Sequence, residues 1–125
     1  MYVLDTHALI WYVTEDDRLG NEALQILEAV DAGEKTAVVP SIVLAEALYI
    51  SRSEDVSFDT LLRKVEDGRN YEVYPLNLRV LRRMKDLEDL SIHDAVIAAT
   101  ADVLDMTVLS KDEEMQEDAD VDTVW

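Results

Sequence analysis

Residues 91–112 read Ser-Ile-His-Asp-Ala-Val-Ile-Ala-Ala-Thr-Ala-Asp-Val-Leu-Asp-Met-Thr-Val-Leu-Ser-Lys-Asp. The first part predicts a helix over 91–105, almost wholly apolar behind Asp94, and a helix of that kind is covered on most sides. The second part predicts a strand over 107–110, a short apolar run closed by polar residues. An acid opens the helix, and Asp112 follows the strand. The amino terminus carries the related order of a strand over 2–5, closed by Asp5, and a helix over 7–13. Between these ends the pattern predicts helix 21–32, strand 36–40, helix 41–52, helix 58–68, strand 71–75 and helix 77–87. A short helix near 112–117 and a strand over 122–125 complete the chain. Ala23, Ile26, Leu27 and Val30 recur at helical spacing, as do Phe58, Leu61, Leu62 and Val65. Strands that alternate with helices imply a parallel sheet covered on both faces. The expected fold is α/β, a three-layer α/β/α domain with a central, mainly parallel sheet of four to five strands. Residues 1–125 are expected to form one domain.

Composition narrows the function. Hydrophobic residues make up 49% of the 125, which excludes a disordered chain. No cysteine is present, so a disulfide scaffold and thiolate zinc sites are excluded. The chain lacks a signal-peptide pattern and any apolar run of membrane-spanning length, so a cytoplasmic protein is expected. The charge is unusual: 28 acidic residues against 11 basic ones, a net charge of -17, with only four lysines. Such a surface repels nucleic acid at low salt. It resembles the surfaces of proteins from salt-loving organisms such as halophilic archaea, where a Debye length of about 3 Å at molar salt removes the repulsion. The alternative is an acidic protein that keeps a basic partner.

Four acids stand beside apolar sequence: Asp5, Glu46, Asp94 and Asp112. Asp5 has a local explanation, since Asp and Thr commonly cap a following helix. Ser91 and Asp94 fit a capping box, and Asp112 fits a cap for the helix behind it. Glu46 has none. It is the only charge between Ser41 and Ser51, and its helical neighbours Ile42, Val43, Tyr49 and Ile50 are apolar or aromatic. A buried carboxylate needs a partner, either an Arg or a cation. Ligand sites in parallel sheets gather outside the carboxyl ends of the strands, where all four acids can meet. Two like charges about 5 Å apart repel by roughly 3 kcal/mol at an effective dielectric near 20. A hard divalent ion removes that repulsion, and an oxygen-only set suits Mg²⁺ or Mn²⁺. The pattern points to metal-assisted hydrolysis of a phosphodiester.

The stretches Val-Leu-Asp-Thr-His-Ala-Leu-Ile-Trp (3–11), the lone Glu46, His-Asp-Ala-Val-Ile-Ala-Ala-Thr-Ala (93–101) and Val-Leu-Ser-Lys-Asp (108–112) together resemble PIN-domain ribonucleases. In particular they resemble the VapC-like toxins of toxin–antitoxin pairs, over essentially the whole chain and in the same order. The resemblance implies that Asp5, Glu46, Asp94 and Asp112 are the catalytic, metal-binding residues. It implies that the Thr6 and Ser110 hydroxyls orient carboxylates or water, with Ser110 standing where such proteins commonly have Thr. It further implies an RNA substrate cut endonucleolytically, a cognate antitoxin that blocks the site, and a homodimer.

Arg79, Arg82 and Arg83 share a helix face and could hold RNA phosphates. The other reading is a solvated face paired with Glu88 and Asp89. His7 and His93 adjoin site acids, which raises a general-base role, although a metal can activate water without them. Trp11, Tyr12 and Tyr49 read as core or interface residues. The sequence thus points to a Mg²⁺- or Mn²⁺-dependent endoribonuclease. The alternative is a catalytically silent module of the same fold that binds a protein partner. A phosphatase or phosphoacceptor domain expects a second acid beside or shortly after the first strand's Asp, whereas Thr6 and His7 follow Asp5.

Overall fold

The computed structural model describes residues 1–125. In chain order the elements are β1 (Tyr2–Leu4), α1 (Thr6–Val13), α2 (Asn21–Asp31), β2 (Ala37–Pro40), α3 (Ser41–Ser53) and α4 (Phe58–Asp67). They continue with β3 (Tyr71–Tyr74), α5 (Leu78–Met84), α6 (Ile92–Leu104), β4 (Thr107–Leu109), α7 (Glu113–Ala119) and β5 (Thr123–Val124). The strands form one sheet in the order β3-β2-β1-β4-β5, and every neighbouring pair is parallel. This is the expected three-layer α/β/α architecture, with five strands and no antiparallel edge.

Connection handedness fixes the layers. The chain steps from β1 to β2 to β3 in one direction, then returns across the sheet to β4 and β5. Right-handed crossovers therefore place α1 to α4 on one face and α5 to α7 on the other. Packing within each layer agrees: α1 touches α2, α3 and α4, and α6 touches α5 and α7, while α3 also meets α6. The inner strands are buried on both faces, with Val3, Leu4, Val38, Val39, Val108 and Leu109 almost inaccessible. The edge strand β3 exposes Glu72 and Val73.

Helix α6 buries seven consecutive residues, Ala95 to Ala101, as its apolar run requires. Its alanines let it lie close to β1 and β4, which it contacts directly. Asp105 ends it in the left-handed conformation, at φ 54°. The remaining differences from expectation lie at element ends. Helix α5 stops at Met84 rather than residue 87, because Asp86 and Leu87 turn back onto Arg83 and Met84 through their backbone N–H groups. Helices α1 and α7 begin one residue after their acids, since Asp5 and Asp112 serve as caps.

The return from β3 to β4 makes β1 the place where the strand order reverses. A crevice opens there, beyond the carboxyl ends of β1 and β4.

Candidate metal centre

Asp5 leaves the end of β1 with its backbone N–H bonded to the Leu109 carbonyl at 3.3 Å. Its Oδ1 accepts from the Ala8 N–H at 2.8 Å, so the capping role is real and does not exclude another. The residue is only 9% exposed. Burial pushes its carboxyl above the usual range, and hydrogen bonds from Ser110 and the Ala8 backbone only partly oppose that. Ser110 is itself buried at the end of β4, and its Oγ accepts from the Asp112 N–H at 3.0 Å. One hydroxyl therefore links the ends of two adjacent strands to two acids.

Asp94 sits in the first turn of α6, where Ser91 Oγ accepts from its N–H at 3.3 Å. Its carboxyl is also raised, by burial first and then by the negative charges of Asp112 and Glu46. Asp112 caps α7, its Oδ1 accepting from the Glu114 N–H at 2.9 Å. Carboxylate oxygens of Asp94, Asp112 and Glu114 lie within 4.8 Å of one another. Glu114 escaped the sequence reading, which took the acids after 112 as a helix start. The Asp112 cap brings it there, because bonding the N–H two residues on folds that residue back beside the cap.

Asp5, Glu46, Asp94 and Asp112 all line one cleft of about 660 Å³, together with Thr6, His7 and Glu114. Glu46 departs from expectation in one respect: its Oε2 lies 3.0 Å from His93 Nδ1. The partner comes from α6, a different helix, so neighbours three and four residues away within α3 could not reveal it. Nor is the surrounding face fully buried, as Tyr49 is 67% exposed. His7 lies with its ring 4.9 Å from that of Trp11.

Two observations bear on whether a cation fits. The donors are all oxygen, the set preferred by hard divalent ions, and they crowd without a matching number of positive groups. Thr6 Oγ1 is buried at the cleft wall with no hydrogen-bond partner among protein groups. A buried hydroxyl of that kind calls for a water or ion nearby. The residues fit a divalent ion.

Arg79, Arg82 and Arg83 do not line this cleft. Arg83 Nε pairs with Asp102 Oδ2 at 2.7 Å, tying α5 to α6, rather than with Glu88 or Asp89. Arg79 reaches the Val103 carbonyl at 3.5 Å, and Arg82 is exposed. A larger cavity of about 840 Å³ is lined by Trp11, Tyr12, Leu24, Asp31 and Lys64 among others. Its Asp31 is already committed, accepting from Tyr12, from Lys64 at 2.6 Å and from Tyr71 at 3.2 Å. Satisfied groups of that kind hold structure together. The acids of the smaller cleft have no such set of partners, and Asp94, Asp112 and Glu114 crowd one another there.

The profile of the family described as PIN domain matches residues 2–121. No curated protein matches the sequence. Among solved structures, VapBC2 from Rickettsia felis, bound to a DNA fragment from its promoter, superposes with a TM-score of 0.73 at 17% identity, covering 98% of this chain and 96% of that one. FitAcB from Neisseria gonorrhoeae gives 0.73 at 18% identity, covering 100% and 97%. A toxin–antitoxin complex from Klebsiella pneumoniae gives 0.66 at 19% identity, covering 93% and 90%. At such identities the likeness is one of fold.

Proposed function

The chain belongs to the PIN domain family, and from that membership we propose that it is a divalent-metal-dependent endoribonuclease, the toxin of a toxin–antitoxin pair. The observation that carries this reading is that Asp5, Glu46, Asp94 and Asp112 line one cleft beside the orphaned Thr6 hydroxyl, with Asp94 and Asp112 close enough to share an ion. PIN domains are typically nucleases, which supports a hydrolase. The similar fold named as a toxin–antitoxin complex supports a cognate antitoxin as partner. A homodimer and a single nuclease domain over 1–125 belong to the same proposal.

In this reading the four acids hold Mg²⁺ or Mn²⁺, with Glu114 within reach of the Asp94 and Asp112 oxygens. When bound, the ion supplies Lewis acidity for phosphodiester hydrolysis. The chain's own residues supply placement. Ala8 N–H and Ser110 fix Asp5, the Glu114 N–H fixes Asp112, and Ser91 fixes the first turn that carries Asp94. His93 restrains Glu46. Thr6 offers a hydroxyl to whatever water or ion stands at the floor. The exposed Arg79 and Arg82, with Arg83 beside them, are candidates to hold a strand that leaves the cleft.

The test is cleavage of labelled single-stranded RNA by the purified chain, in high KCl to screen the net charge of -17. Cleavage is expected with Mn²⁺ or Mg²⁺ and none with chelator. Asp5→Asn and Asp94→Asn should each lose at least about a hundredfold in kcat/KM while remaining folded. Full activity in either variant overturns the site. Binding of a protein partner without any cleavage would favour the silent module instead.

A further inference from the structure

The cleft is lined by seven acids, Asp5, Glu46, Asp94, Asp112, Glu113, Glu114 and Glu117, and by a single Lys or Arg, Lys111. Lys111 forms no ion pair with any of them. Its Nζ instead stands 4.7 Å from the centroid of the Trp11 ring. Trp11 is a fixed platform, 5% exposed and in edge contact with Trp125 at 5.8 Å. The other cation over this ring, Arg18 at 4.6 Å, is already spent on Asp16, with contacts of 3.0 and 2.8 Å. Of the two cations over this ring, only Lys111 is without an ion pair.

Its backbone is equally well placed. Ser110 N–H bonds the Val124 carbonyl at 3.1 Å, and Asp112 N–H bonds Ser110 Oγ at 3.0 Å. Both neighbours of Lys111 are thus pinned at the end of β4. A cation parked on an aromatic face keeps three N–H donors able to turn toward an anion. An anionic strand entering an otherwise acidic cleft needs such a group, because neutralising the carboxylates leaves its flanking phosphates unmatched.

We infer that Lys111 binds a phosphate of the substrate strand next to the scissile one, held ready by Trp11. This rests on the nuclease reading above. It makes Lys111 a substrate-binding residue, separate from the acids.

The experiment is cleavage kinetics of a labelled single-stranded RNA in Mn²⁺ across a series of KCl concentrations. It compares the wild-type chain, Lys111→Ala, Lys111→Arg and Arg69→Ala. Arg69 is exposed and precedes β3, at the opposite edge of the sheet. Lys111→Ala should raise KM about tenfold with kcat little changed. Its slope of log(kcat/KM) against log[KCl] should flatten by about 0.7, the loss of one phosphate contact on a single strand. Lys111→Arg should restore both, and Arg69→Ala should alter neither. If the wild type cleaves and Lys111→Ala matches it in KM and slope, the lysine assignment fails and the nuclease reading stands. A loss confined to kcat, or an equal effect from Arg69→Ala, also overturns the assignment. If the wild type does not cleave RNA at all, the nuclease reading fails and takes this one with it.

Discussion

His93 Nδ1 lies 3.0 Å from Glu46 Oε2, joining the first turn of α6 to the middle of α3 across the cleft. Both side chains are partly exposed, so the pair contributes little to stability and mainly restrains Glu46. A double-mutant cycle of His93→Ala and Glu46→Gln, read by urea denaturation, should give a coupling of about 0.5 kcal/mol. A coupling of several kcal/mol would mark a structural ion pair instead.

The crowding of Asp5 and Asp94 sets the pH dependence of the metal-free chain. Burial holds the Asp5 carboxyl above its ordinary 3.8, and burial with Asp112 and Glu46 does the same for Asp94. The folded state therefore binds these protons more tightly than the unfolded one. The resulting destabilisation is absent below 3.8, grows as pH rises through the folded values and is complete above them. Asp5→Asn removes the Asp5 share of it and retains a good helix cap. In chelator at neutral pH this variant should melt a few degrees above wild type, as a change on the order of 1 kcal/mol produces at this size. The gap should close near about pH 4. Equal melting temperatures at neutral pH would show that the carboxylate is not under strain.

Thr6 Oγ1 offers a second measurement. Replacing a buried, unpartnered hydroxyl by a methyl group of the same shape removes a desolvated polar atom. Thr6→Val should be neutral to about 1 kcal/mol more stable in chelator, yet should weaken Mn²⁺ binding measured by calorimetry. Unchanged metal affinity would leave the hydroxyl without a role in the cleft.

Gly20 tests the support behind Trp11. A Cβ there would meet the Trp125 carbonyl carbon at 2.4 Å and its oxygen at 2.5 Å, while Glu22 N–H bonds that same oxygen at 3.2 Å. Gly20→Ala must displace Trp125, the residue after β5, and should cost about 1–3 kcal/mol. Near-ultraviolet circular dichroism should lose the signal of the Trp11–Trp125 edge contact. A wild-type spectrum and stability would mean that the close approach of Trp125 to Gly20 does not constrain the fold.

The local grammar of this chain was highly legible. The apolar run behind Asp94, the strand before Ser110 and the caps at Asp5 and Asp112 each follow from a few adjacent residues, and the elements fall within a few residues of their expected ends. Strand alternation yielded the parallel sheet and so the edge where the acids meet. What stayed hidden needed two elements at once. The Glu46–His93 pair, the Arg83–Asp102 bridge and the seat of Lys111 on Trp11 all depend on how helices cross, which no spacing within one helix encodes. Glu114 was hidden differently, since an acid in an acidic segment carries no contrast.

The reversal of strand order at β1 also has a consequence in time. Leu4 pairs with Leu109, 105 positions later (109 minus 4), and Asp5 finds Ser110 only through that pairing. At a synthesis rate of about 5–20 residues per second, β1 waits on the order of ten seconds for the strand that completes its floor. Until β4 pairs with β1, Asp5 lacks its hydroxyl donor and Asp112 has no place in the cleft. A chain whose β4 has not yet paired with β1 therefore has no complete cleft.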